Sequence, residues 1–135
     1  MNVTYNQSEQ VLVSAIAKAK ELGTAMNIAI VDEGANLKSF CRMDDAFLGG
    51  ADLAIKKAQT SRFFNAGSGE IGKMSQPGGS LYNIEHSNGG LVTFAGGLLL
   101  KDSNSKIIGA IGVSGGTVEQ DHDVAVAGAN ALARP

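Results

Sequence analysis

The segment KIIGAIGV from Lys106 to Val113, followed at once by Ser114-Gly-Gly-Thr117, restricts the fold of this 135-residue chain more than any other stretch. Its β-branched residues read as a strand, and side chains alternate across a pleat. Ile107, Gly109, Ile111 and Val113 then point to one face, and Ile108, Ala110 and Gly112 to the other. Both faces contain a residue with little or no side chain. Glycine inside a strand marks the close approach of another backbone or of a ligand, so the strand is expected to lie against a tightly packed helix or a flat molecule. Beyond it, Thr117 and Gln120 have the spacing of a capping box. Val118, Val124, Ala125, Gly128, Ala131 and Leu132 continue at helical spacing.

The preceding segments fix the class. Asn6-Gln-Ser-Glu9 offers a capping side chain three residues before a Glu, and Leu12, Ala15, Ile16, Ala19 and Leu22 predict a first helix that Gly23 ends. Met26 to Val31 reads as a strand, Gly34 and Asn36 as hairpin residues with positive φ, and Leu37 to Met43 as the partner strand. Asp44 or Asp45 can cap a second helix reaching about Phe64, with Phe47, Ala51, Ala54, Ile55 and Ala58 as one stripe and Asp52 four residues before Lys56. Lys56, Lys57 and Arg62 read as its solvated face. Leu91 to Phe94, Leu98 to Lys101 and Lys106 to Val113 read as three strands, the last two joined by a turn at Asp102-Ser-Asn-Ser105. This order lacks the strand-helix alternation of a doubly wound sheet. It predicts a single α+β domain over residues 1–135, a mostly antiparallel sheet of about five strands with flanking helices.

Between the second helix and the last three strands, residues Asn65 to Gly90 carry seven glycines and one proline. A connection this long in a compact domain is usually functional or disordered. Ile71, Met74, Leu81, Tyr82 and Ile84 favour a loop packed over something, with a helical turn within it. A net charge of −2 gives no reason to approach nucleic acid or an anionic membrane. The longest apolar run, Leu91 to Leu100, is about half the length of a bilayer-spanning helix. The start MNVTYNQSEQ lacks the basic and apolar segments of a secretory signal, which leads us to expect a cytoplasmic protein. The single cysteine, Cys41, cannot form an internal bridge and reads as a small buried hydrophobe.

Chemistry has few candidates. Two histidines exclude most all-histidine metal sites. His86, beside Glu85 in the long loop, can ligate a metal or a haem iron, act as a base, or simply sit on the surface. His122 lies between Asp121 and Asp123, but adjacent helical positions diverge by ~100° and cannot all face one ion. The Gly112-to-Thr117 strand-to-helix turn can cradle a carboxylate or phosphate, or be only a glycine turn with Thr117 as N-cap. It has neither the Gly-Lys-Ser/Thr of a P-loop nor the dinucleotide fingerprint. Nothing places a base and an orienting group beside Cys41 or a serine.

Three stretches, AIKKAQTSRFF (54 to 64), Gly96 to Asp102, and KIIGAIGVSGGTVEQDHDVAVAGANAL (106 to 132), resemble the GlcG/HbpS-like family. It includes GlcG proteins of glycolate utilisation, secreted haem-binding HbpS proteins and the C-terminal domain of PduO-type corrinoid adenosyltransferases. GAIGVSGG followed by EQD is the most specific match. The resemblance implies a profilin-like domain that assembles into homo-oligomers and, in some members, binds haem and promotes its degradation or senses redox state. It carries over no particular iron ligand, and the chain is too short for the adenosyltransferase domain. The expectation is a haem or tetrapyrrole site on the glycine-bearing strand and under the long loop. Phe94, Gly109, Gly112, Ser114, Gly115, Gly116 and Thr117 would line it, with His86 as the iron ligand. Two alternatives stand beside it: an enzyme or accessory factor handling a small carboxylate in the Ser114-to-Thr117 turn, and an oligomeric scaffold whose glycine-rich faces serve subunit packing alone.

Overall fold

Two hairpins built on the same turn chemistry form the sheet. The computed structural model describes residues 1–132, leaving 133–135 outside the description. Strands β1 (Asn27–Asp32) and β2 (Leu37–Arg42) make the first hairpin, β3 (Gly97–Lys101) and β4 (Ile107–Ser114) the second. In the first turn Asp32 Oδ1 accepts from the Gly34 and Asn36 N–H groups, both at 2.9 Å. In the second, Asp102 Oδ1 accepts from Asn104 and Lys106 at 2.8 and 3.0 Å. An aspartate that clamps the N–H groups two and four residues ahead fixes the turn by itself. Positive φ therefore falls on Ala35 and Ser105, both at 63°, and not on Gly34 or Asn36 as the sequence suggested.

The strand order is β2-β1-β4-β3, every neighbouring pair antiparallel. Four strands form among the described residues, one fewer than expected, because Leu91 to Phe94 stays outside the sheet. Its backbone groups bond elsewhere: Leu91 N–H donates to Glu85 O, Val92 N–H to Thr60 Oγ1, and Phe94 O accepts from Ser68 Oγ.

Helices α1 (Tyr5–Leu22) and α4 (Val118–Asn130) cover one face of the sheet and α2 (Gly50–Phe64) the other. The α4 box forms as predicted, Thr117 and Gln120 each accepting from the other's N–H. The α1 box uses Thr4 with Gln7 instead of Asn6 with Glu9. The second helix begins at Gly50, not after Asp44 or Asp45, since Asp45 itself turns with φ 69°. Among the described residues no helix is long and apolar enough to cross a membrane.

Under α1 and α4, Val11, Ala15 and Ala19 meet Ile28, Ile30, Leu100, Ile111, Val113, Val124 and Ala125 in one buried cluster. Burial of each large aliphatic side chain contributes roughly 1.5–3 kcal/mol. Ile108 joins this cluster too, because the β3–β4 register slips between Leu100 and Lys101 and breaks the simple alternation. The opposite face is thin: Val31, Ala58 and Ala110, with Gly112 beside them. A Cβ at Gly112 would collide with the Ala54 carbonyl and the Ala58 nitrogen of α2, and one at Gly109 with the Val31 carbonyl. The room that glycine leaves on β4 is thus filled by the protein's own backbone, which corrects the expectation of a macrocycle lying on this strand.

Candidate functional site

The glycine-rich connection folds back on the molecule through helix α3 (Ser68–Met74) and a 3-10 turn at Ile84–His86. Gly69 and Gly72 share one side of α3, and the segment Thr93 to Ala95 lies directly on it. A Cβ at Gly69 would come within 3.1 Å of Ala95 Cα, and one at Gly72 would strike the Thr93 carbonyl. Ser68 Oγ stitches the two together, donating to Phe94 O at 2.6 Å and accepting from Gly97 N–H at 2.8 Å.

Glu85 closes the arrangement. Its Oε2 accepts from Thr93 Oγ1 at 2.6 Å and from Ser75 Oγ at 2.7 Å. These hydroxyl donors, with the neighbouring His86, hold its carboxyl below the usual glutamate value. The result is an open cleft of ≈ 500 Å³ walled by Gly69, Gly72 and Lys73 of α3, by Gln76 just beyond its end, by Glu85, by residues 91–95 and by Val118 at the start of α4. Phe94, 60% exposed, and Val118, 45% exposed, present apolar surface there. Lys73 stands at the rim, paired at 3.1 Å with the exposed Glu70. A broader groove between α1 and α4 is lined by Val13, Ala17 and Val126 with Glu9, Lys18 and Asp123, and it has no aromatic or histidine.

The predicted site residues separate into two groups. Phe94 lines the cleft and the exposed His86 adjoins Glu85 of its wall. Gly109 and Gly112 lie inside the sheet, away from the cleft. Ser114 is buried beside Asn27 across the β1–β4 ladder. Gly115, at φ 141°, fits against Ala25 O. The N–H of Gly116 donates to Asp121 Oδ1 at 2.8 Å and that of Thr117 to Gln120 Oε1 at 3.0 Å. Those donors of the turn, expected to cradle an anion, already hold the protein's own side chains. Cys41 is half-buried rather than fully so, and burial raises its thiol pKa. Among the described residues no cluster of three or more His, Cys, Asp and Glu is placed to hold a metal ion.

One pair escaped sequence reasoning. Lys57, read as solvated, is 1% exposed. Its Nζ donates to Val113 O at 2.8 Å and to Asp121 Oδ2 at 2.9 Å. Burial pulls its pKa below the ordinary lysine value, against the opposing pull of Asp121. A Cβ at Gly96, whose φ is 123°, would lie 3.1 Å from both Lys57 Nζ and Asp121 Cβ, so the pair sits directly behind the cleft segment that ends at Ala95. The signal was present: Lys57 shares the sheet-facing stripe of Ala54, Ala58 and Ser61.

A family model described as "Haem degrading protein HbpS-like" matches residues 3–130. The chain is 40% identical over 119 residues to an uncharacterized 15.0 kDa protein of the dhaT-dhaS intergenic region of Citrobacter freundii, covering 88% of this chain and 84% of that one. It is 37% identical over 126 residues to the corrinoid adenosyltransferase PduO of the same organism, covering 93% of this chain but only 37% of PduO. The crystal structure of a PduOC:heme complex superposes with a TM-score of 0.92 at 34% identity, covering 98% of this chain and 96% of that one.

Proposed function

This chain belongs to the HbpS-like family, and from that premise we propose that it is a single haem- or tetrapyrrole-binding domain working as a homo-oligomer in the cytoplasm. The observation that carries the reading is Phe94. A phenylalanine held 60% exposed in an apolar-walled cleft forgoes much of the roughly 1.5–3 kcal/mol that covering it would contribute, and a planar macrocycle stacked on it recovers that. A relative of 34% identity has been crystallised with haem, which agrees with this.

The residues present fit such a group. Val92, Ala95 and Val118 offer apolar wall, and Lys73 at the rim offers a positive charge for a propionate. The hydroxyls of Thr93 and Ser75 engage Glu85, and the iron ligand of this proposal is His86, exposed next to Glu85 and adjoining the cleft wall. Haem, when bound, supplies iron-centred redox chemistry; the chain's part is to stack, orient and ligate it. The adenosyltransferase activity of PduO is no part of this proposal, since the chain spans 37% of that protein.

Absorbance titration with hemin tests it. We expect a saturable Soret shift, weakened about tenfold or more by Phe94→Ala and moved in wavelength by His86→Ala. Absence of a saturable shift in the parent protein overturns the haem reading; an unchanged Soret band in His86→Ala removes the ligand assignment alone.

A further inference from the structure

The cleft wall that carries Glu85 ends in a tight turn with a chemistry of its own. Residues Ser87 to Gly90 close on a Gly90 N–H to Ser87 O hydrogen bond of 2.9 Å. The two central residues, Asn88 and Gly89, have φ of 53° and 74°. Positive φ at both is the pattern of a type I′ turn, for which Asn-Gly is the favoured pair. The turn sets where the chain re-enters the cleft, because immediately after it Leu91 N–H donates to Glu85 O at 2.9 Å. The carboxylate of the same Glu85 takes the Thr93 and Ser75 hydroxyls. Asn88 is also the one asparagine of the sequence that precedes a glycine. Both residues are exposed, and a Cβ on Gly89 would meet nothing within 4 Å. Among the described residues no acceptor holds the Gly89 N–H, and the Asn88 carboxamide keeps a single hydrogen bond, Nδ2 donating to Ser87 Oγ at 3.0 Å.

We propose that Asn88-Gly89 is a self-modification site, where deamidation through a cyclic imide releases the Glu85 wall of the cleft. The Gly89 nitrogen, having given its proton to water, attacks Asn88 Cγ. The N–Cγ bond forms, the Cγ–Nδ2 bond breaks, and Nδ2 leaves as ammonia, taking up a proton from water in return. Water then opens the five-membered ring on one of two sides. Breaking the N–Cγ bond leaves an ordinary aspartate; breaking the bond to the main-chain carbonyl of Asn88 leaves isoaspartate, whose backbone runs through Cβ. A glycine follower makes the attack feasible, since no side chain bars its nitrogen from Cγ. Both products add a negative charge to the turn. Only isoaspartate lengthens the backbone by a methylene, which a closed turn of this size cannot take up. The Gly90–Ser87 and Leu91–Glu85 hydrogen bonds are then lost, and with them the backbone anchor that holds Glu85 against Thr93. The modification is independent of what the cleft binds.

For the test, the full chain is aged at mildly alkaline pH and digested with trypsin, which releases the peptide between Lys73 and Lys101. That peptide also holds Asn83, followed by the β-branched Ile84, as an internal control. Mass spectrometry with fragmentation is expected to find aspartate and isoaspartate at position 88, forming about tenfold or more faster than at Asn83. Asn88→Gln, whose longer side chain cannot close the five-membered ring, should keep its amide over the same period. Amide hydrogen exchange reads the effect on the wall. The Leu91 N–H should lose protection in the aged protein, keep it in Asn88→Asp, and regain it when an isoaspartate methyltransferase returns the chain to aspartate. Conversion at Asn88 no faster than at Asn83 overturns the site. Conversion that leaves Leu91 as protected as in the fresh protein overturns the release of the wall, and loss of protection in Asn88→Asp overturns the role of the lengthened backbone.

Discussion

Lys57 and Asp121 show how one buried pair can tie three elements together. Lys57 comes from α2, its carbonyl partner Val113 from β4, and Asp121 from α4. Removing the cation leaves a carboxylate 3% exposed without its countercharge. Lys57→Ala is therefore expected to destabilise the protein by about 3–5 kcal/mol, while the double change Lys57→Met with Asp121→Leu costs far less. Chemical denaturation of the three proteins checks this, and equal losses in single and double variants would refute it. Glu85 makes a pH-dependent prediction of known sign. Its carboxyl is held below the ordinary 4.5, so the unfolded chain binds its proton first as pH falls. The stabilisation it contributes is fully present above that value and is lost as pH drops through the lower folded one. The stability difference between the parent and Glu85→Gln should shrink as pH falls below 4.5, a trend readable from urea midpoints measured along a pH series. A difference independent of pH would show that the carboxylate charge plays no part.

Among the elements, those set by local chemistry were legible and those set by distant partners were not. The α4 cap, the β3–β4 hairpin and the reach of α2 to Phe64 follow from residues a few positions apart. Leu91 to Phe94 has the composition of a strand, yet Thr60, 32 residues from Val92, takes its N–H and so helps draw it away from the sheet. No short window contains that information. Likewise the glycine spacing of β4 announced a close approach without saying by what, and the answer was the α2 backbone at Ala54 and Ala58. Thr117→Ala should cost about 1 kcal/mol through loss of the N-cap, and a thermal melt would register it. A melt unchanged by the substitution would mean that the box formed with Gln120 contributes nothing to stability.

Across the whole molecule, glycines do two separate jobs. Gly112 of β4 lets α2 seat on the sheet and so holds the fold; Gly69 and Gly72 let the Thr93-to-Ala95 segment lie on α3 and so shape the cleft. Of the residues named from the sequence, Phe94 lines the cleft and His86 lies beside its wall. Lys73 and Gly72 were not named, because a lone lysine and one glycine among eighteen look like any others until the chain folds back. The division makes a final prediction. At Gly112 an added methyl meets backbone in the middle of the sheet, an overpacking that costs roughly 1–3 kcal/mol or more because strand and helix are fixed from both ends. At Gly72 the same methyl meets the Thr93 carbonyl, in a segment that lies outside the β-ladder and can shift. Gly112→Ala should therefore lower the denaturation midpoint sharply, and the protein still folded should bind hemin with near-parental affinity. Gly72→Ala should keep most of its stability yet lose hemin affinity by about tenfold, as the wall bearing Phe94 moves off α3. Measuring both quantities on both variants separates the roles, and parallel losses in the two would mean that cleft and core are a single cooperative structure.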